Sequence, residues 1–129
     1  MSNTLEQFLD NNLTSSEIKR LAHPPLDLFL PVHELLKPPM ANREKKHRPL
    51  NRFSLYRRNY AARYPLGNRP PFRMINKAAS ANWNNTTTEI REFFTMLAKL
   101  MKRYMETGFV AEPNGKHGLQ HIVVLVHIV

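Results

Sequence analysis

Apolar residues recur at helical spacing in three stretches of the middle of the chain. Phe53, Tyr56, Tyr60 and Tyr64 are three, four and four apart, which places them on one face of a helix. That helix is predicted to start near Pro49, since proline suits a first turn, and to end before Pro65. Pro65-Leu66-Gly67-Asn68-Arg69-Pro70-Pro71 has the composition of a turn. A second helix is predicted from about Phe72 to Trp83, with Ile75, Ala79 and Trp83 on one face. The third carries Ile90, Phe93, Phe94, Leu97, Met101 and Tyr104 as an amphipathic stripe to about Met105. Thr86 and Glu89 have the spacing of a capping box at its start.

The flanks read differently. Thr14-Ser15-Ser16-Glu17 is a second capping-box spacing, predicting a short helix through Leu21. Proline pairs at Pro24-Pro25 and Pro38-Pro39 forbid a long helix there. Residues 1–42 are therefore expected to form a flexible arm with one or two short helical turns. A partner-binding motif between Leu26 and Leu36 is a second reading, weighed against a loosely ordered linker. Beyond residue 106 lies an apolar tail. It ends in the uncharged run His121 to Val129, a strand-like or aggregation-prone segment by composition, and is expected to be poorly structured.

Charge narrows the class of partner. The 129 residues carry 19 Lys or Arg against 10 Asp or Glu, a net charge of +9. From Arg43 to Glu106 there are 15 basic residues against four acids, a net +11, and the rest of the chain is at −2. A polyanion is the expected partner, nucleic acid before an anionic membrane. A solvated basic surface is the plainer alternative. Cysteine is absent, which excludes disulfides, thiolate zinc sites and cysteine nucleophiles. No apolar run reaches the ~18 residues of a membrane span. The start, MSNTLEQFLDNN, lacks the basic and apolar regions of a signal peptide.

The residues left over from packing carry a resemblance. Arg48-Pro49-Leu50-Asn51-Arg52-Phe53-Ser54-Leu55-Tyr56-Arg57-Arg58 resembles the opening of the HMG box, written R-P-x-N-x-F-x-x-[WY]-x-[RK]. Ile75-Asn76-Lys77 with Trp83 six residues on is similar to the I-S-K and Trp of that family's second helix. Phe93-Phe94 with Leu97-Ala98 is similar to its third. The match spans about residues 46–106. Tyr56 and the stretch Trp83-Asn84-Asn85 to Leu97-Ala98 look most like fungal mating-type boxes of the MATA-HMG kind.

The resemblance implies an all-α, L-shaped three-helix box over residues 43–106 that binds the DNA minor groove and bends the duplex, as HMG boxes do. By position it implies that Arg48 and Pro49 run along the groove, Asn51 reads a base edge, and Phe53 packs beside the intercalating wedge. It implies that Tyr56, Trp83 and Phe94 form the core, and that Asn76 replaces a DNA-contacting serine. Arg52, Arg57, Arg58, Arg73 and Lys77 complete the expected DNA-binding set. Two departures stand out. Ser54 occupies the position of the usual Met or Ile wedge, so Phe53 or Leu50 is left to fill that role. The sequence after Met105 is apolar where a basic extension is common.

Nothing points to catalysis. No Ser-His-Asp or paired-carboxylate arrangement stands out, and His117, His121 and His127 lack a Cys or acid to complete a metal site. The expectation is a non-enzymatic protein without cofactor, metal or small-molecule substrate. Arg43-Glu44-Lys45-Lys46-His47-Arg48 suits both a nuclear import signal and a phosphate-contacting arm. The expected function is sequence-specific transcriptional regulation in the nucleus. Two rivals remain: an architectural, weakly specific DNA-bending protein, and an interaction or membrane-surface module using Leu26 to Leu36 and the tail.

Overall fold

The computed structural model describes residues 4–39 and 48–107. These form six α-helices and, among the described residues, no strand. They are α1 (Thr4–Asn11), α2 (Ser15–Ala22), α3 (Val32–Leu35), α4 (Arg52–Ala61), α5 (Phe72–Asn84) and α6 (Thr88–Glu106). The all-α expectation is met. No described helix is long and apolar enough to cross a membrane. Expectations for the tail beyond Thr107, and for most of the basic run before Arg48, lie outside the described residues.

Helix α4 packs against both α5 and α6. Its two faces serve two apolar clusters. Leu55 enters a large core with Phe93, Phe94, Leu97, Leu100 and Met101 of α6. Tyr60 joins Ile75 and Ala79 of α5 in a smaller one. Tyr56 packs against both. At 19 residues, α6 is about 28 Å long, enough to line the whole of the larger core.

The helix boundaries follow from side-chain caps. Asn51 is the N-cap of α4, its Oδ1 accepting from the Ser54 amide at 2.8 Å. The helix therefore starts three residues beyond Pro49. Leu50 sits outside it, its amide donating to Met101 Sδ at 3.2 Å. The N-cap of α6 is Thr87, which accepts from the Ile90 amide. The capping box expected at Thr86 and Glu89 is not formed. The Thr86 amide is still bonded to the Trp83 carbonyl as α5 unwinds. Arg91 also reaches back to the carbonyls of Trp83 and Asn84. Together these bonds move the start of α6 one residue on.

The N-terminal segment departs most from expectation. Residues 4–39 are not a free arm but a helical layer on the back of α4 and α6. The Thr14–Glu17 capping box forms as predicted and starts α2. Phe8 and Leu9 of α1, Leu21 of α2, and Val32, Leu35 and Leu36 at α3 all enter the large core. Leu35 and Leu36 are fully buried. The stretch from Leu26 to Leu36 thus has its partner within the chain and is not a free docking motif.

Polar clamps hold the layer where short helices alone would not. Asn59, buried on α4, accepts from the Phe29 amide at 2.7 Å and donates to the Asp27 carbonyl at 3.1 Å. Arg58 donates to the carbonyls of Leu35 and Lys37, both at 2.7 Å. Arg103 of α6 grips Glu17 at 2.9 and 3.2 Å and the Asn12 carbonyl at 2.8 Å. The Arg103 hydrogen bonds hold the Glu17 carboxyl below the usual carboxylate range, against the opposing effect of burial. The prolines that forbid a long helix are compatible with this layer, because each short piece is fixed by α4 or α6.

Candidate functional site

The three aromatics expected in the core meet. Tyr56 of α4 lies 5.0 Å from Trp83 of α5 and 5.4 Å from Phe94 of α6, centroid to centroid, and Trp83 lies 6.4 Å from Phe94. One ring from each helix closes the triangle, mostly in edge-on geometries favoured by ring quadrupoles. Burial pushes the Tyr56 hydroxyl's pKa up. The triangle fixes how α4 and α5 are disposed, and so shapes the cleft between α4 and the start of α5.

That cleft has a volume of about 340 Å³. Leu50, Ser54 and Ala61 line one side, Phe72 and Ile75 the other, with Arg57, Arg58 and Arg69 also at its surface. Arg57 spans the gap. Its Nη1 donates to Asn76 Oδ1 at 2.8 Å, and its guanidinium lies 5.3 Å from the Phe53 ring and 5.0 Å from Phe72. Stacking and the amide bond hold a charge that would otherwise sample many rotamers. Arg73 and Lys77 are exposed on α5, and Arg48 and Pro49 are exposed just before α4.

The expected DNA-binding residues therefore divide. Ser54 and Arg57 line the cleft, Asn76 holds Arg57 there by accepting its hydrogen bond, and the Phe53 ring lies against the Arg57 guanidinium. Arg58, though at the cleft surface, gives its Nη1 to the carbonyls of Leu35 and Lys37, and burial lowers its pKa. It serves as a clamp on the N-terminal layer. Arg52 leans to α6, donating to Thr95 Oγ1 at 3.0 Å with its guanidinium 5.7 Å from Trp83. Asn51 is exposed, but its Oδ1 is committed to the helix cap. Leu50 and Phe53, the fallback wedges, are half-buried against the two cores.

Sequence reasoning missed the apolar residues that do stand out. Phe72 is 64% exposed and Met74 58%, both in the first turn of α5. Phe72 lies three residues before Ile75 and seven before Ala79, on the Ile75-Ala79-Trp83 face, so the helical period gave no signal of its exposure. Arg69 was also passed over as part of a turn. It donates to the Tyr64 carbonyl at the cleft edge.

Electrostatics distinguish this surface from the rest. Residues 48–88 hold eight Lys or Arg and no acid. A larger recess between α2 and α6, about 720 Å³, mixes Arg20, Lys99 and Arg103 with Glu17, Glu89 and Glu92. Its mixed charge does not favour a polyanion. Among the described residues no three His, Cys, Asp or Glu side chains gather to hold a metal. No known family model, curated protein or solved structure matches the chain.

Proposed function

We propose that the chain is a DNA-binding regulator of the HMG-box type. It binds the minor groove with the α4–α5 surface, bends the duplex, and acts in the nucleus as a sequence-specific transcription factor of fungal mating-type control. The observation that supports this best is an exposed aromatic, Phe72, set in a surface with arginines and no acid. An apolar side chain among cations suits a bent minor groove, where the cations neutralise phosphate and the ring enters an opened base step. Phe72 thereby supplies the wedge that Ser54 does not.

One observation favours the architectural reading as an alternative. The Asn51 acceptor oxygen is taken by the α4 cap, leaving the amide nitrogen as its means of reading a base edge. Weak discrimination between sequences would follow.

Binding to random and selected duplexes across a salt series, with bending measured by circular permutation, tests the proposal. Arg48, Arg57, Arg69, Arg73 and Lys77 neutralise about four or five phosphates, which gives a log–log salt slope of roughly −4. Phe72→Ala should reduce the bend while leaving the fold intact. A slope near zero refutes nucleic-acid binding. A high ratio of selected to random affinity supports the transcription-factor reading, and a ratio near one the architectural reading.

A further inference from the structure

We propose that Ser54 is a phosphorylation site, modified by a basophilic protein kinase, that switches the α4–α5 surface off. The inference rests on the DNA-binding reading of that surface. Ser54 lines the cleft, and its amide is used in the α4 cap, while its hydroxyl makes no hydrogen bond to the described residues. Arg57 and Arg58 follow at the third and fourth positions, on the same side of a helix, and Arg69 lines the same cleft. Arg52 stands two residues before Ser54 and Arg48 six before. Basic residues shortly before an acceptor serine are the charge pattern such kinases select. Arg48, Pro49 and Leu50 precede the helix, so opening the first turn of α4 presents the segment.

The reaction is phosphoryl transfer from ATP. The Ser54 hydroxyl oxygen attacks the γ-phosphorus, the bond to the β-phosphate oxygen breaks, and ADP leaves. The hydroxyl proton passes to the kinase's base. The product carries about −1.5 to −2 charges and three acceptor oxygens. It sits in the first turn of α4, where a helix favours negative charge. Unengaged guanidinium N–H groups of Arg57 and Arg69, which line the same cleft, are cationic donors for it, and pairing with them removes their charge from the DNA surface.

The intact protein is treated with the catalytic subunit of a basophilic kinase and ATP, and the modified residue is mapped by mass spectrometry. DNA affinity, salt slope and melting temperature are then compared for the unmodified, modified and Ser54→Ala proteins. Modification at Ser54 should weaken binding at least about 10-fold and reduce the slope by about two, as two phosphate contacts are lost. The melting temperature should be unchanged or higher. Ser54→Ala should lose the kinase effect, its affinity and salt slope being the same before and after kinase treatment. Failure of the folded protein to be modified at Ser54 overturns the proposal, as does weakened binding accompanied by a lower melting temperature. If unmodified and modified proteins bind equally, the switch falls and the DNA reading stands. If the unmodified protein does not bind, both fall.

Discussion

Asn59→Ala is the sharpest test of the N-terminal layer. The side chain lies on α4, yet both its hydrogen bonds run to backbone groups about thirty residues earlier, the Phe29 amide and the Asp27 carbonyl. Alanine leaves both groups without that partner and creates a small void beside Tyr60. An unsatisfied buried polar group costs about 1–3 kcal/mol. The two backbone groups are partly accessible, so a combined loss of about 2–3 kcal/mol is expected. In a domain of this size that lowers the melting temperature by roughly 6–15 °C. Urea denaturation measures the loss directly. Repeating it in a Leu35→Ala background separates a docked layer from a local effect on α4. Leu35 is fully buried in the same layer, so its truncation alone should cost about 2–5 kcal/mol, and the two losses should not add. If Asn59→Ala changes stability by less than about 0.5 kcal/mol, or if the losses are strictly additive, the layer is not docked as described.

Three further outcomes are expected. Thr87→Ala should destabilise α6 by about 1 kcal/mol, with Thr86→Ala costing much less, and the order would reverse if the cap were at Thr86. The folded pKa of Glu17 is depressed, so its stabilisation is present above the ordinary value of 4.5 and is lost as pH falls through the lower folded value. The stability gap between the wild type and Glu17→Gln should therefore shrink on acidification below that point, and a gap constant with pH would refute the Arg103 pairing. Asn76→Ala frees the Arg57 guanidinium from α5, and should weaken DNA binding several-fold without changing the fold, as read by titration alongside circular dichroism.

The legible and illegible parts of this chain divide along physical lines. Helices α5 and α6 were readable because each places most of its buried residues on one face, so a single period reports the core; in α4 the Phe53-Tyr56-Tyr60 stripe showed the period but not the burial of Leu55 on the opposite face. In the N-terminal layer Leu5, Phe8 and Leu9, and then Ile18 and Leu21, do fall at helical spacing, but each piece has only about two turns and proline pairs follow, so the period did not report a docked layer. Its stability comes from Arg58, Asn59 and Arg103 bonding to distant carbonyls, amides and carboxylates, and such bonds leave no trace in a local pattern. The one-residue error at the start of α6 has a similar origin. Thr86, Thr87 and Thr88 are chemically equivalent caps, and the choice among them is made by how α5 ends. At the cleft, basic composition pointed to Arg57, Arg73 and Lys77 alike. It could not say that Arg58 is spent on the carbonyls of Leu35 and Lys37, nor that Phe72 is left outside the core.

The grip of Arg103 on Glu17 and Asn12 joins residues 86 and 91 positions apart. Synthesis runs from the N-terminus, so Phe8, Leu21 and Leu35 emerge long before the α6 surface that covers them. At about 5–20 residues per second, those apolar side chains spend several seconds without their partner on a growing chain. The contacts of the layer with α6 close last, because they span more of the chain than those of the layer with α4, 21 to 32 positions apart, or of α4 with α6, 43 and 51 apart. A chain interrupted before Arg103 leaves the ribosome with these residues uncovered, a state for chaperones to hold or proteases to clear.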